Sequence, residues 1–262
     1  MSDARNVSVA VVSSRRRTRR TSRLLAWCGL WFMSSILAAV VAGQAWAADP
    51  PTDPFASRDV APGWSLVYIG KGEQRRLERP LQAEFAGGAF TLRTDSGTLF
   101  FKRSDEADGF GFVHQPLDGD GSITAKVTRF EDFHEWGGAG VMVRDEIKPL
   151  GLYMCAVLET VKTKEPADGK AIAASIRMRR KISNEGHRVL RPDHVKLPVW
   201  LKVERQAQKV SAFYSPDGKD WKLLKEAEFA PTQKVHAGLT AWNRGGKAGT
   251  VTFEDVQVRG TR

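Results

Sequence analysis

The chain has 262 residues, 40 basic against 30 acidic, and a formal net charge of +10. That charge alone would point to nucleic acid, but most of the excess sits in the first 47 residues, which hold seven arginines and only Asp3 as an acid. Without them 33 basic and 29 acidic residues remain, a net +4, so the basic character belongs to the leader and is no nucleic-acid footprint.

The leader reads as an export signal: RRRTRRTSR (15–23) is basic, LLAWCGLWFMSSILAAVVA (24–42) is apolar, and Ala45-Trp46-Ala47 is a small-x-small cleavage site. Cleavage is expected between Ala47 and Ala48, with no membrane insertion afterwards. The alternative is an uncleaved anchor, because 19 apolar residues can span a bilayer. Arg19-Arg20 begins like a twin-arginine signal, but Ser22 stands where that pattern prefers an aromatic residue. Cys28 opens the apolar run rather than closing it, which argues against a lipid anchor. After cleavage only Cys155 is left, inside an apolar run where a thiol behaves as a small buried hydrophobe, so no intramolecular disulfide is expected.

Residues 48–63 (ADPPTDPFASRDVAPG) read as a linker or N-terminal arm. From Trp64 to residue 262 one domain is expected, a size that buries an ample core. Short alternating runs follow one another: AFTLRT (89–94), TLFFK (98–102), FGFVHQPL (110–117), SITAKVTRF (122–130), AGVMVRD (139–145), GLYMCAVLE (151–159), AIAASIRMRRK (171–181), VWLKVERQ (199–206), VSAFYS (210–215), WKLLKEAEF (221–229), VHAGLTAWN (235–243) and TVTFEDVQV (250–258). No stretch repeats apolar residues with helical spacing, so the fold class is all-β, a two-sheet antiparallel sandwich or jelly roll. GDGSITAKVTRF, AGVMVRDE and GLYMCAVLE are expected as adjacent strands of one sheet. Asp118-Gly119-Asp120-Gly121 reads as a tight hairpin, and Ser215 to Trp221 as a second.

In order, L-x-GDGSITAKV, AGVMVRD, VWLKVER, FYSPDGKDW, VHAGLTAWN and TVTFEDVQV resemble the concanavalin A-like domain family of unknown function, common in secreted bacterial proteins and found appended to glycoside hydrolases such as β-xylosidases. The resemblance covers roughly residues 90–259. It implies a jelly roll of the lectin and glucanase kind, with a concave face that often meets sugars, and it supplies no catalytic residue.

Alternation sorts the candidate ligand residues by face. Val141 and Val143 share one face, Met142 and Arg144 the other; Ile172, Ala174, Ile176 and Met178 oppose Ser175, Arg177 and Arg179; Val199, Leu201 and Val203 oppose Trp200, Lys202 and Glu204. If these strands share a sheet, its outer surface gathers Arg144, Arg177, Arg179, Trp200, Lys202 and Glu204, an aromatic platform beside guanidinium forks that suits a sugar or a carboxylated sugar. The same residues could instead form cross-strand ion pairs over solvent. Trp136 and Trp242 are further candidates, either stacking on glycans at the rim or capping the core edge.

Glu131 and Glu135, or Glu204, are the carboxylates an enzyme of this fold would need, and a retaining hydrolase requires two of them about 5 Å apart. Their spacing here favours a loop. The histidines lack zinc spacing, Asp118 to Ser122 lacks the glycine of a calcium loop, and no cofactor motif is present. The reading is therefore an exported, non-catalytic carbohydrate-binding domain whose partner is a polysaccharide. The alternatives are a small glycoside hydrolase or lyase and an envelope structural or interaction module. On the first reading, changing Trp200 or Arg144 to alanine weakens binding without unfolding.

Overall fold

The computed structural model describes residues 53, 55–70, 79–99, 108–135, 137–162, 170–179, 187–228, 233–244 and 247–260. The leader, Trp136 and residues 100–102 of the TLFFK run lie outside them. The described residues form fifteen strands and no helix. In chain order these are β1 (Arg58–Ala61), β2 (Trp64–Ile69), β3 (Gln82–Ala86), β4 (Ala89–Thr94), β5 (Phe110–Asp118), β6 (Gly121–Glu131), β7 (Gly138–Arg144), β8 (Tyr153–Lys162), β9 (Lys170–Arg179), β10 (His187–His194), β11 (Val199–Gln206), β12 (Lys209–Ser215), β13 (Lys222–Glu228), β14 (Lys234–Trp242) and β15 (Gly249–Gly260).

They make two antiparallel sheets, one ordered β1-β2-β5-β14-β7-β8-β9-β10 and the other β13-β12-β11-β6-β15-β4-β3. The period-2 pattern explains how they face each other. Ile123, Ala125 and Val127 of β6 and Val199, Leu201 and Val203 of β11 are buried against Val141 and Val143 of β7 and Ala174, Ile176 and Met178 of β9 in one core cluster. The residues between them point away, giving β11 its strict alternation of buried and half-buried positions. Outer strands are protected by charge: β13 presents Lys222, Lys225 and Glu228, which discourages edge-to-edge pairing.

Several sequence expectations change. The three runs from Gly119 to Glu159 are not one sheet: β7 and β8 pair with each other, whereas β6 joins the opposite sheet between β11 and β15. The Asp118–Gly121 turn is therefore no hairpin; it carries the chain from one sheet to the other. Gly119 there has φ +71°, and the Asp120 carboxylate accepts a hydrogen bond from the Ala207 amide at 2.6 Å. The arm 48–63 ends in an edge strand, β1, paired with β2. Thr98 makes only an isolated bridge to Gly109. Two strands lack a readable pattern: β3 is a short, largely exposed edge, and β10 carries Pro192 and a register shift between Leu190 and His194.

The β12–β13 hairpin forms as expected, with Gly218 at φ +75°. The Ser215 hydroxyl accepts from the Gly218 amide at 2.9 Å, and Asp217 accepts from the amides of Lys219 and Asp220. These donors hold the Asp217 carboxyl down to about 2.

Candidate functional site

Away from the core, each sheet has an outward face. On the eight-stranded sheet, register sets Arg144 of β7 opposite Tyr153 of β8, and Tyr153 opposite Arg179 of β9. The neighbouring row is Met142, Cys155 and Arg177. The Tyr153 ring thus lies beside two guanidiniums, 5.8 Å from that of Arg144 and 5.7 Å from that of Arg179. Arg177 bonds Glu159 through Nε at 2.8 Å and through Nη2, and donates from Nη1 to the Leu99 carbonyl at 2.7 Å. Ser175 donates to the other Glu159 oxygen at 2.6 Å. The Arg177 guanidinium also rests 4.9 Å from the Trp242 ring centre. That ring occupies the space a side chain at Gly138 would fill, since a Cβ there would stand 2.7 Å from the indole.

This face is closed. Arg144, Arg179, Glu159, Tyr153 and Trp242 are all at most 1% exposed. Arg144 donates to the carbonyls of Glu146 and Lys148 at 2.6 and 2.7 Å, pinning the loop after β7, and Arg179 pairs with Asp108 at 3.0 Å. Burial pulls the Arg144 guanidinium below its ordinary value and pushes the Cys155 thiol up to about 12, so that thiol is inert at neutral pH. At the edge of the cluster His114 and His236 meet at 3.3 Å through their Nδ1 atoms. Burial, with the charge of His236 and then Arg144, drives His114 down to about 4.

The outward face of the seven-stranded sheet is open. Trp200 and Lys202 of β11 and Trp221 after the hairpin border a cavity of about 390 Å³, completed by Ser122, Thr124, Gly218, Gln257 and Arg259. The hairpin fits there because residue 218 is glycine: a Cβ would lie 2.9 Å from the Trp200 indole. Lys202 holds its ammonium 4.5 Å from the Phe213 ring centre and 4.7 Å from that of Trp221, and 3.1 Å from Glu204.

The eight candidate residues therefore do not form one surface. Arg144, Arg177, Arg179 and Trp242 come together, but buried on one sheet; Trp200, Lys202 and Glu204 stand on the other, and Trp136 lies outside the described residues. Trp242 closes β14 and is fully buried against Arg177, a position that leaves no ring face for a glycan. The carboxylates are each held by a different partner or position. Glu131 is exposed and bonded to Arg129, Glu135 pairs with Lys162, and Glu204 is paired in register with Ser122 at the other end of β6 from Glu131. Nine residues of strand put Glu204 and Glu131 about 30 Å apart. Glu159, Asp108 and Trp221 were not singled out from the sequence. Alternation through GLYMCAVLE would have found Glu159, in phase with Tyr153 and Cys155.

The family described as "Protein of unknown function (DUF1349)" matches residues 77–261. The chain belongs to this family. No curated protein matches it. Among solved structures, a functionally unknown protein from Saccharomyces cerevisiae is 20% identical, with 71% of this chain and 95% of that one covered at a TM-score of 0.56. A variant of the GH43 protein BlXynB from Bacillus licheniformis is 17% identical over 80% of this chain and 39% of its own, at 0.49. LamAcat from Zobellia galactanivorans is 9% identical over 79% and 95%, at 0.45. The fold is a two-sheet antiparallel jelly-roll sandwich, and the family's description assigns it no activity.

Proposed function

We propose that this family member is an exported, non-catalytic carbohydrate-binding jelly roll that holds a polysaccharide on the outward face of its seven-stranded sheet. The observation that supports this is the cavity bounded by Trp200 and Trp221, whose volume suits a small ligand. Indole rings accept the apolar face of a sugar, while Ser122, Thr124, Gln257 and Lys202 offer partners for its hydroxyls. The buried arginines of the other sheet act on this reading as scaffold, because Arg144 and Arg177 spend donors on carbonyls and on Glu159 within the protein and Arg179 is ion-paired with Asp108. Export rests on the basic, apolar and AWA segments of residues 1–47. The wide separation of Glu131 and Glu204 gives the glycosidase reading less support.

Affinity gel electrophoresis of the mature chain over a panel of polysaccharides tests the proposal. At least one should retard it, and Trp200→Ala or Trp221→Ala should weaken that binding about tenfold or more, as expected for an aromatic anchor. Unaltered mobility on every polysaccharide would refute the reading. Arg144→Ala no longer serves as a clean binding variant, because Arg144 is buried and pins the 146–148 loop.

A further inference from the structure

The outward face of the seven-stranded sheet has a second opening. It measures about 540 Å³ and is bordered by Arg93, Arg129 and Lys247, with Glu84 and Asp132 among them, and at its rim by Arg58 from β1, the edge strand of the other sheet. Arg129 is bonded to Glu131, and Lys247 to Asp132 at 2.8 Å. Arg58 and Arg93 make no ion pair with a described residue. The first opening likewise adds two cations, Lys202 and Arg259, and no acid to its lining.

Register relates the two. Trp200 is opposite Lys126 on β6, Lys126 opposite Glu254 on β15, and Arg93 on β4 opposite Thr250, itself opposite Glu131 on β6. Three strand spacings across the sheet and five residues along β6 put Trp200 and Arg93 about 20 Å apart on one surface. The surface between them carries the half-buried Lys126–Glu254 pair at 3.4 Å and the exposed Arg129–Glu131 pair, so the acids on that path already have cationic partners.

Resting on the glycan-binding reading above, we propose that the ligand is a polyuronate, a chain of carboxylated sugars several residues long. One ring would stack at Trp200 and Trp221, and carboxylates further along would take the guanidinium forks of Arg93 and Arg58. Three features favour this chemistry. Arg58 and Arg93 at one opening and Arg259 at the other make no ion pair with a described residue, and together they call for negative charge at both openings. Guanidinium geometry matches a carboxylate through two parallel hydrogen bonds. Glu84 within the basic opening can accept hydrogen bonds, which sugar hydroxyls supply and a phosphodiester backbone does not.

The experiment compares polygalacturonate with its fully methyl-esterified form, which keeps the ring and removes the charge, by calorimetry on the mature chain at low and moderate salt. Polygalacturonate should bind at least tenfold tighter than the ester and weaken as salt rises. The Arg58→Ala, Arg93→Ala double variant should lose about tenfold toward polygalacturonate and keep its affinity for the ester. Its melting temperature should match the wild type, since Arg93 is exposed and Arg58 half-buried. Equal binding of acid and ester, lost in Trp200→Ala, would overturn the polyuronate assignment and leave the glycan face standing. Tighter binding of heparin or of poly(dT) would overturn it in favour of a sulfated glycan or a nucleic acid. Failure of every polysaccharide to bind would remove the glycan face itself.

Discussion

The two outward faces of this sandwich carry similar residues and do different work. Each has arginine or lysine beside glutamate and tryptophan. On the eight-stranded sheet the Arg177–Glu159 pair is buried, braced by Ser175 and the Leu99 carbonyl, and laid on Trp242. On the seven-stranded sheet the Lys202–Glu204 pair is partly exposed, and its tryptophans border an open cavity. A buried pair cannot lose one member cheaply, whereas an exposed pair contributes little to stability and stays available to a ligand. Residue type alone therefore does not separate scaffold from binding surface; burial and the fate of each donor do.

The sharpest way to break this contrast is to remove one member of the buried pair. Arg177→Ala leaves Glu159 charged and buried, and should cost about 3–5 kcal/mol in urea unfolding. A loss below about 1 kcal/mol would mean that the closed face is not scaffold. Arg144→Ala should cost about 2 kcal/mol by the same measurement, because the Glu146 and Lys148 carbonyls lose their donor.

Acid provides a third test of the closed face. His114 titrates at about 4 in the folded protein against 6.5 ordinarily, so between those values the unfolded chain binds more protons. Stability should be full above pH 6.5, fall as pH drops through this window, and level off below about 4. The loss is on the order of 2 kcal/mol after allowance for partial solvent screening. His114→Gln should flatten that part of the pH–stability curve, and an unchanged slope would exclude His114 as its source. The smallest stability effect belongs to the open face. Trp200→Ala should shift unfolding by less than about 1 kcal/mol while weakening glycan binding, which separates the two faces in a single pair of assays.

Much of the strand structure was legible in the chain. AFTLRT became β4 without a shift of boundary, and the alternation of VWLKVERQ and AIAASIRMRRK assigned Leu201 and Ile176 to the core and Trp200 and Arg177 away from it. β10 was not legible, since Arg188, Arg191 and Pro192 interrupt any apolar period and its place comes from pairing with β9. The face of Glu159 could be read from alternation, but its partners Arg177 and Ser175, eighteen and sixteen residues away, could not.

What the sequence by itself determined is the direction of each side chain relative to its own strand, because successive residues of an extended backbone must alternate. What only the tertiary structure decided is which sheet a strand enters. β5, β6 and β7 are consecutive, yet the chain leaves the eight-stranded sheet at Gly119 and returns to it at Gly138. A strand buries the same apolar face whichever sheet it joins, so alternation carries no information about that choice. For this reason Arg144 and Trp200, both correctly turned away from the core, stand on opposite sides of the molecule, one enclosed and one open.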